Sequence, residues 1–402
     1  MNYKLAFSTF TIFYTIFVNI NWVNPTLSGW ISNSCLLLFI IVNYEIFKNI
    51  FSTKYRSINV FALIFTIIII YSGYINAELA YDIQDWNGHT IRSLKATRPD
   101  HTIYESLRII SYLLYFQHLN KIGADKKFLR YFFYLYFIYT IISDINALTY
   151  SNSEGAGYLV GNKFSVSYTN LIFATLYFMQ HPLLDRQHAI KLKLILLLSF
   201  IIAIKTECTT AIIGTILMYI FIFRMKETWK AKLYKWQTYL LILFICDILF
   251  FFFTSFFINN PLMEYIIVDL LGKDLTLTGR IGIYVALSEI IQDCPLYGYG
   301  FGNAHIYTTM SEIGPNAQNG LFNLILEVGI LGCISFFLMI LGILKVSNTN
   351  KYSYPIICII YTMLILSSIE ITFSTVIIII SMFLILNNHP KSIYAKHQKF
   401  QL

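Results

Sequence analysis

Five ionisable side chains lie within or at the ends of apolar runs: Arg108, Lys205, Glu207, Asp247 and Glu327. A charge surrounded by hydrocarbon is costly, so such residues face a polar cavity or a partner. A cavity opening to one side of a membrane would account for Arg108, Lys205 and Glu327, and a Lys205–Glu207 pair would account for part of the pattern. Asp247 has no neighbour of matching chemistry and is expected to be structural. Glu327 also ends the most unusual stretch of the chain, Thr278 to Gly332, which joins an amphipathic segment, a Gly/Tyr-rich turn, an Asn-rich patch and an apolar run. Extended polar segments are uncommon in this sequence, and the chemistry is expected here. Within the stretch, Gly298, Gly300 and Gly302 alternate with Tyr299 and Phe301, so the backbone can turn sharply while aromatic faces stay available. Tyr297, Tyr299 and Tyr307 could form a stacking platform or an interfacial aromatic belt. No helix start or lysine follows at the spacing of a phosphate-binding loop.

These residues must be positioned by apolar elements. Of the 402 residues, 57% are hydrophobic and 12% charged, and the mean hydropathy is +0.62. That composition, with apolar runs recurring along the chain, predicts an all-α polytopic membrane protein with residues 1–402 as one membrane domain. The first run has only Lys4 as a basic flank and no small-residue cleavage site, which predicts a retained helix. About twelve transmembrane helices are expected, near 5–23, 30–47, 58–76, 103–119, 128–148, 164–180, 190–205, 209–223, 237–258, 320–344, 354–369 and 371–388. The last two could instead form one re-entrant hairpin.

Most of the 29 Lys and Arg residues fall in segments that share one side if the N-terminus is cytoplasmic. This predicts cytoplasmic termini, a large outer loop at 259–319 between helices 9 and 10, and smaller outer loops at 77–102 and 149–163. The net charge of +8 follows largely from topology and calls for no nucleic-acid partner. Outer cations such as Arg92, Arg98, Lys163 and Arg280 oppose the bias and are expected either to function or to pair with Glu78, Asp82, Asp85 and Asp100. The six Cys and eight His show neither a disulfide framework nor metal-ligand spacing. The apolar positions of 281–291 (Ile281, Tyr284, Val285, Leu287 and Ile291) predict a helix along the outer membrane interface.

TGRIGIY, PLYGYGFG and NAQNGLFNLILEVGILG, in that order, resemble the large-loop region of the O-antigen polymerase and O-antigen ligase superfamily. GNKFSVSY at 161–168 and ECTTAIIG at 207–214 resemble segments of its Wzy-type polymerase branch. The similarity covers about 160–335 and the many-helix layout. It implies a metal-independent, cofactor-free membrane glycosyltransferase of the GT-C type in the bacterial inner membrane. Such an enzyme uses undecaprenyl-diphosphate-linked oligosaccharides on the periplasmic face. A separate chain-length regulator and membrane lipid are the other implied partners.

The same resemblance suggests roles. Arg280, at the family's Gly-Arg position, would meet the departing diphosphate through its bidentate fork. Lys205 is second choice; many relatives carry arginine near this helix junction. Arg108, Arg98 and Arg92 would extend a basic funnel. Glu327, His305 or Glu207 would take the acceptor proton, Glu327 first because it matches a family position. Tyr299, Gln318 and Asn319 would contact substrate. Gln318 stands where many relatives have histidine and cannot serve as a base near neutral pH. That counts against the ligase reading, in which finished glycan passes to lipid A-core. A lipid-linked oligosaccharide flippase is the alternative from another class; it predicts midplane charges and an internal repeat, and neither is evident.

Overall fold

A computed structural model describes residues 2–18, 25–84, 90–149, 157–249, 280–310, 317–346 and 352–386. Residues 259–279 and 311–316 of the expected large loop, the end of the ninth apolar run, and the side chains of Arg92 and Arg280 lie outside the described residues.

Helices form over the apolar runs, because a helix satisfies every backbone donor and acceptor within its own segment. In chain order they are α1 (Asn2–Phe17), α2 (Pro25–Val42), α3 (Arg56–Ile75), α4 (Pro99–Ile122), α5 (Asp125–Thr149), α6 (Lys163–Gln180), α7 (Arg186–Lys205), α8 (Thr209–Tyr219), α9 (Glu227–Leu233) and α10 (Trp236–Leu243). After the undescribed stretch come α11 (Arg280–Asp293), α12 (Ala304–Met310), α13 (Gly320–Val346), α14 (Tyr354–Leu366) and α15 (Thr375–Leu386). A 3-10 segment, Tyr44–Phe51, follows α2.

Among the described residues, four helices are long and apolar enough to cross a membrane: Thr53–Ile75, Asp125–Thr149, Arg186–Lys205 and Gly320–Val346. A fifth is added if α2 and the 3-10 segment, bent by 71°, form one span. The other helices over the twelve runs differ from a simple span for identifiable reasons. α4 has the length but carries Glu105, Arg108, Gln117 and Asn120 on buried positions. α14 and α15 have 13 and 12 residues, about 20 Å of helix against a hydrocarbon core of about 30 Å.

One small sheet accompanies the helices among the described residues. Within 77–102, β1 (Ala80–Gln84) and β2 (Thr90–Lys95) pair antiparallel, with Ala80 opposite Lys95 and Asp82 opposite Ser93. Leu94 is buried, giving the hairpin an inward face.

The core is aromatic and aliphatic. Phe13 and Phe17 of α1 meet Phe132 and Tyr136 of α5, and Phe383 of α15 meets Phe116, Phe128 and Phe132, mostly edge to face, the geometry aromatic rings prefer. α3 packs along α13, where small residues allow close approach; a Cβ on Gly342 would sit 2.9 Å from Ile58. This pair matters most, because the end of α3 holds the candidate site.

Candidate functional site

α13 is not continuous. Gly329 has φ 66° and ψ −176°, a combination essentially restricted to glycine. Two intrahelical bonds are thereby lost, from the N–H of Ile330 to the Leu326 carbonyl and from Leu331 to Glu327. The PLYGYG turn replaces them from both directions. The Ile330 and Leu331 N–H groups donate to the carbonyls of Pro295 (2.8 Å) and Leu296 (3.3 Å), while the Leu326 and Glu327 carbonyls accept from Tyr299 (2.6 Å) and Gly300 (3.1 Å). The turn approaches so closely that a Cβ on Gly298 would lie 2.6 Å from both the Gly329 nitrogen and the Leu326 carbonyl oxygen. Gly298, Gly300 and Gly302 all have positive φ, as the alternating pattern predicts.

The end of α3 fastens this joint. The Ser72 hydroxyl lies 2.6 Å from the Tyr297 carbonyl and 3.1 Å from that of Glu327, and Asn76 Nδ2 donates to the Gly298 carbonyl at 3.3 Å. The link between the hairpin and α4 is attached through Asn303, whose Oδ1 accepts from the Thr97 N–H at 2.7 Å and whose Nδ2 donates to the Tyr299 carbonyl at 3.0 Å. The sequence reading missed Ser72, Asn76, Thr97 and Asn303. Ser72 and Asn76, four residues apart at the end of an apolar run, were the available signal. Ser72 is fully buried, so Ser72→Ala strips a carbonyl of its side-chain donor. The expected loss is about 1–2 kcal/mol, read as a lower unfolding midpoint in detergent.

Around this joint the structure gathers several expected site residues. The Glu327 carboxylate, half-buried, accepts from Asn323 Nδ2 at 3.2 Å and from the Gly302 N–H, which ties it to the turn. His305, exposed on α12, has Nδ1 3.1 Å from the Gly302 carbonyl. A carbonyl only accepts, so Nδ1 carries the proton and Nε2 is the acceptor nitrogen of the neutral ring. Arg98 caps the start of α4, one residue from Thr97; it is exposed and pairs with Asp100 at 3.0 Å. Arg280 begins α11, which packs through Ile283, Leu287 and Ile290 on Tyr299, Ala304, Ala317 and Leu326. The side chains of Ile281, Tyr284 and Val285, on which the interfacial placement of this helix rested, lie outside the described residues. Asn319 caps α13 by accepting from the Phe322 N–H at 3.0 Å, and the preceding Gln318 has φ 46°. The N–H of Gly320 donates to the Ser367 carbonyl at 2.7 Å.

Other expected residues have different surroundings. Tyr299 is buried, stacks on Tyr307 at 3.6 Å and donates its hydroxyl to the Ile290 carbonyl, so it is a packing residue rather than an open sugar platform. Burial, with Asp293, Tyr307 and Cys294 nearby, raises its hydroxyl pKa above the ordinary tyrosine value and keeps it a donor. Arg108 is buried against Glu105 on its own helix, with Ser32 Oγ 3.2 Å away. Glu105 is also reached by Thr375 Oγ1 at 3.3 Å. The open-cavity expectation for Arg108 gives way to a buried pair joining α2, α4 and α15. Lys205 is exposed at the end of α7, and the ion pairs among the described residues include none between it and Glu207. Instead, Lys163 Nζ donates to the Glu207 carbonyl at 3.3 Å. Asp247 is fully buried with Ser367 Oγ 2.7 and 2.9 Å from its two oxygens, a structural link as expected.

Beyond the 367–374 turn lies a cavity of about 190 Å³ lined by Tyr136, Tyr139, Tyr168, Ser165, Thr169 and Thr372, with an apolar floor. The Tyr168 hydroxyl is buried without a hydrogen-bond partner among the described residues. Among those residues no group of His, Cys, Asp and Glu is arranged to hold a metal ion.

Comparison with models of known protein families gives no match. No curated protein is similar enough to count as a relative.

Proposed function

We propose that this chain is a membrane glycosyltransferase that polymerises undecaprenyl-diphosphate-linked repeat units into O-antigen or capsular polysaccharide on the periplasmic face of a bacterial inner membrane. In this reading the chain crosses the membrane about twelve times with both termini cytoplasmic. One observation carries the proposal: PLYGYGFG and LEVGILG, motifs on which the family resemblance rests, are interlocked through four backbone hydrogen bonds at the Gly329 break. Polar groups from α3, the link before α4 and α12 converge on the same joint.

In the proposed reaction an acceptor hydroxyl of a fresh lipid-linked unit attacks the anomeric carbon of the growing glycan. The bond from that carbon to the diphosphate oxygen breaks, and undecaprenyl diphosphate leaves. Arg280 stabilises the charge on the departing diphosphate, and Arg98 provides a second cation on the exposed rim. His305 Nε2 takes the hydroxyl proton, a role its tautomer supports. Glu327, hydrogen-bonded to Asn323 and Gly302, is assigned to positioning the turn.

The test is the surface-glycan profile of a strain lacking the gene, complemented with wild type or Arg280→Ala. The null strain is expected to show core plus a single repeat. Wild type restores the ladder, and Arg280→Ala at normal membrane abundance does not, given a rate loss on the order of 100-fold or more. Bare core with polymer accumulating on the lipid carrier would assign the chain to ligation instead. Repeat units trapped on the cytoplasmic side would assign it to flipping.

A further inference from the structure

At the end of the bundle that the Lys/Arg distribution assigns to the cytoplasm, a cavity of about 660 Å³ opens between the 3-10 segment, the start of α3 and the end of α4. That volume is in the usual range for ligand sites. Lys48, Lys54 and Lys121 line it and are exposed, and no carboxylate lines it among the described residues. Three cations around one cavity without a carboxylate among its lining residues favour an anion.

A fourth lining residue sharpens the chemistry. Gln117 is 2% exposed, and its Oε1 is buried with no hydrogen-bond partner among the described residues. Its orientation is fixed by a relay. Asn59 Nδ2 donates to the carbonyls of Asn49 and Ile50, each at 3.1 Å, so Asn59 Oδ1 must accept. Gln117 Nε2 donates to that oxygen at 2.6 Å, which leaves Oε1 as the unsatisfied atom. An unmet acceptor on a residue that lines the same cavity as three lysines suits a ligand with both an anionic oxygen and a hydroxyl donor.

The rim indicates where such a ligand comes from. The 3-10 segment turns 71° away from α2, burying Ile46 inward and leaving Tyr44 65% and Phe51 88% exposed. Phe51 and Ile122, both exposed, line the cavity edge. Aromatic and aliphatic side chains beside lysines are the signature of a membrane–water interface, and a cytoplasmic leaflet supplies anionic headgroups there.

We infer that this cavity binds the headgroup of a hydroxyl-bearing anionic phospholipid, with the phosphodiester among Lys48, Lys54 and Lys121 and a headgroup hydroxyl donated to Gln117 Oε1. Phosphatidylglycerol has that chemistry. The site is independent of the proposed reaction, which lies at the other end of α3.

The test uses full-length protein in neutral detergent, with lipid retention measured by native mass spectrometry against matched-chain probes. Wild type is expected to retain phosphatidylglycerol on the order of 100-fold over phosphatidylethanolamine, from about fivefold per lysine. Phosphatidylmethanol has the same charge but no free hydroxyl, and its retention is expected to be about fivefold lower than that of phosphatidylglycerol. The triple variant Lys48→Gln/Lys54→Gln/Lys121→Gln alters only exposed side chains and should lose the preference for anionic lipid. Equal retention of phosphatidylglycerol and phosphatidylethanolamine, or an unchanged triple variant, overturns the site. Equal retention of phosphatidylglycerol and phosphatidylmethanol removes the role of Gln117. Displacement of bound lipid by micromolar glycerol phosphate would assign the cavity to a soluble phosphoester and overturn the lipid assignment.

Discussion

Gly329→Ala is expected to remove nearly all folded protein from the membrane, while Gly29→Ala in α2 leaves abundance unchanged. Two costs add at Gly329. Its backbone has φ 66° and ψ −176°, a conformation that costs a non-glycine residue about 1–3 kcal/mol. A Cβ there would also overlap the backbone of Leu296 and Tyr297, and backbone cannot step aside as a flexible side-chain tip can. Overpacking adds about 1–3 kcal/mol, for a total of about 2–6 kcal/mol. Relief by moving the PLYGYG turn would break the bonds that satisfy the interrupted helix. At Gly29 a Cβ meets nothing within 4 Å, so the control tests added bulk without added strain. The measurement is the yield of monodisperse protein and its unfolding midpoint in detergent. Equal behaviour of the two variants would show that the α13 break is not required.

The second large effect concerns Arg108. If it is a structural partner of Glu105, Arg108→Met leaves that buried carboxylate with only the half-exposed His101, 3.9 Å away, and costs up to about 3–5 kcal/mol. The double variant Arg108→Met/Glu105→Leu removes both charges and should recover most of that loss, because apolar replacements of a buried pair are often neutral. Side-chain exposures of 9% and 10% place the pair out of solvent, where the argument applies. A funnel residue would behave differently: the single variant would keep its stability and lose glycan polymer, and the double variant would not regain activity. Unfolding midpoints and glycan ladders on the same set of strains separate the two roles.

What the sequence revealed follows from the kind of interaction involved. The helices were legible because burial of long apolar runs is a local, additive signal: α3, α5, α7 and α13 occupy the expected runs. Their boundaries shift by a few residues, and several are too short or too polar for a simple span. The hairpin at 80–95 was not legible, since its strands are short and Asp82, Gln84 and Arg92 break up any apolar alternation. The break in α13 was hidden by its setting, because LEVGILG is apolar on both sides of Gly329 and reads as uninterrupted helix. Only the partner turn, nearly thirty residues upstream, makes the break affordable. The partner of Arg108 was overlooked for a more avoidable reason: Glu105 lies three residues earlier on the same helix, a spacing at which side chains meet. The burial of Tyr299 was not legible, because a Gly-rich turn is usually exposed, whereas this one is pressed between α11 and α13.

The order of the joint's parts along the chain has a consequence for biogenesis. Ribosomes deliver the N-terminal portion first, so Ser72 is made before Pro295–Gly300, and both precede Leu326–Leu331. A helix interrupted in lipid without partners would leave several backbone groups bare, each costing several kcal/mol. Here the groups that will receive Leu326, Glu327, Ile330 and Leu331 have already emerged when that segment is synthesised. Circular permutation placing α13 ahead of α3 would reverse this timetable, and the interrupted helix would have to wait for its partners during insertion.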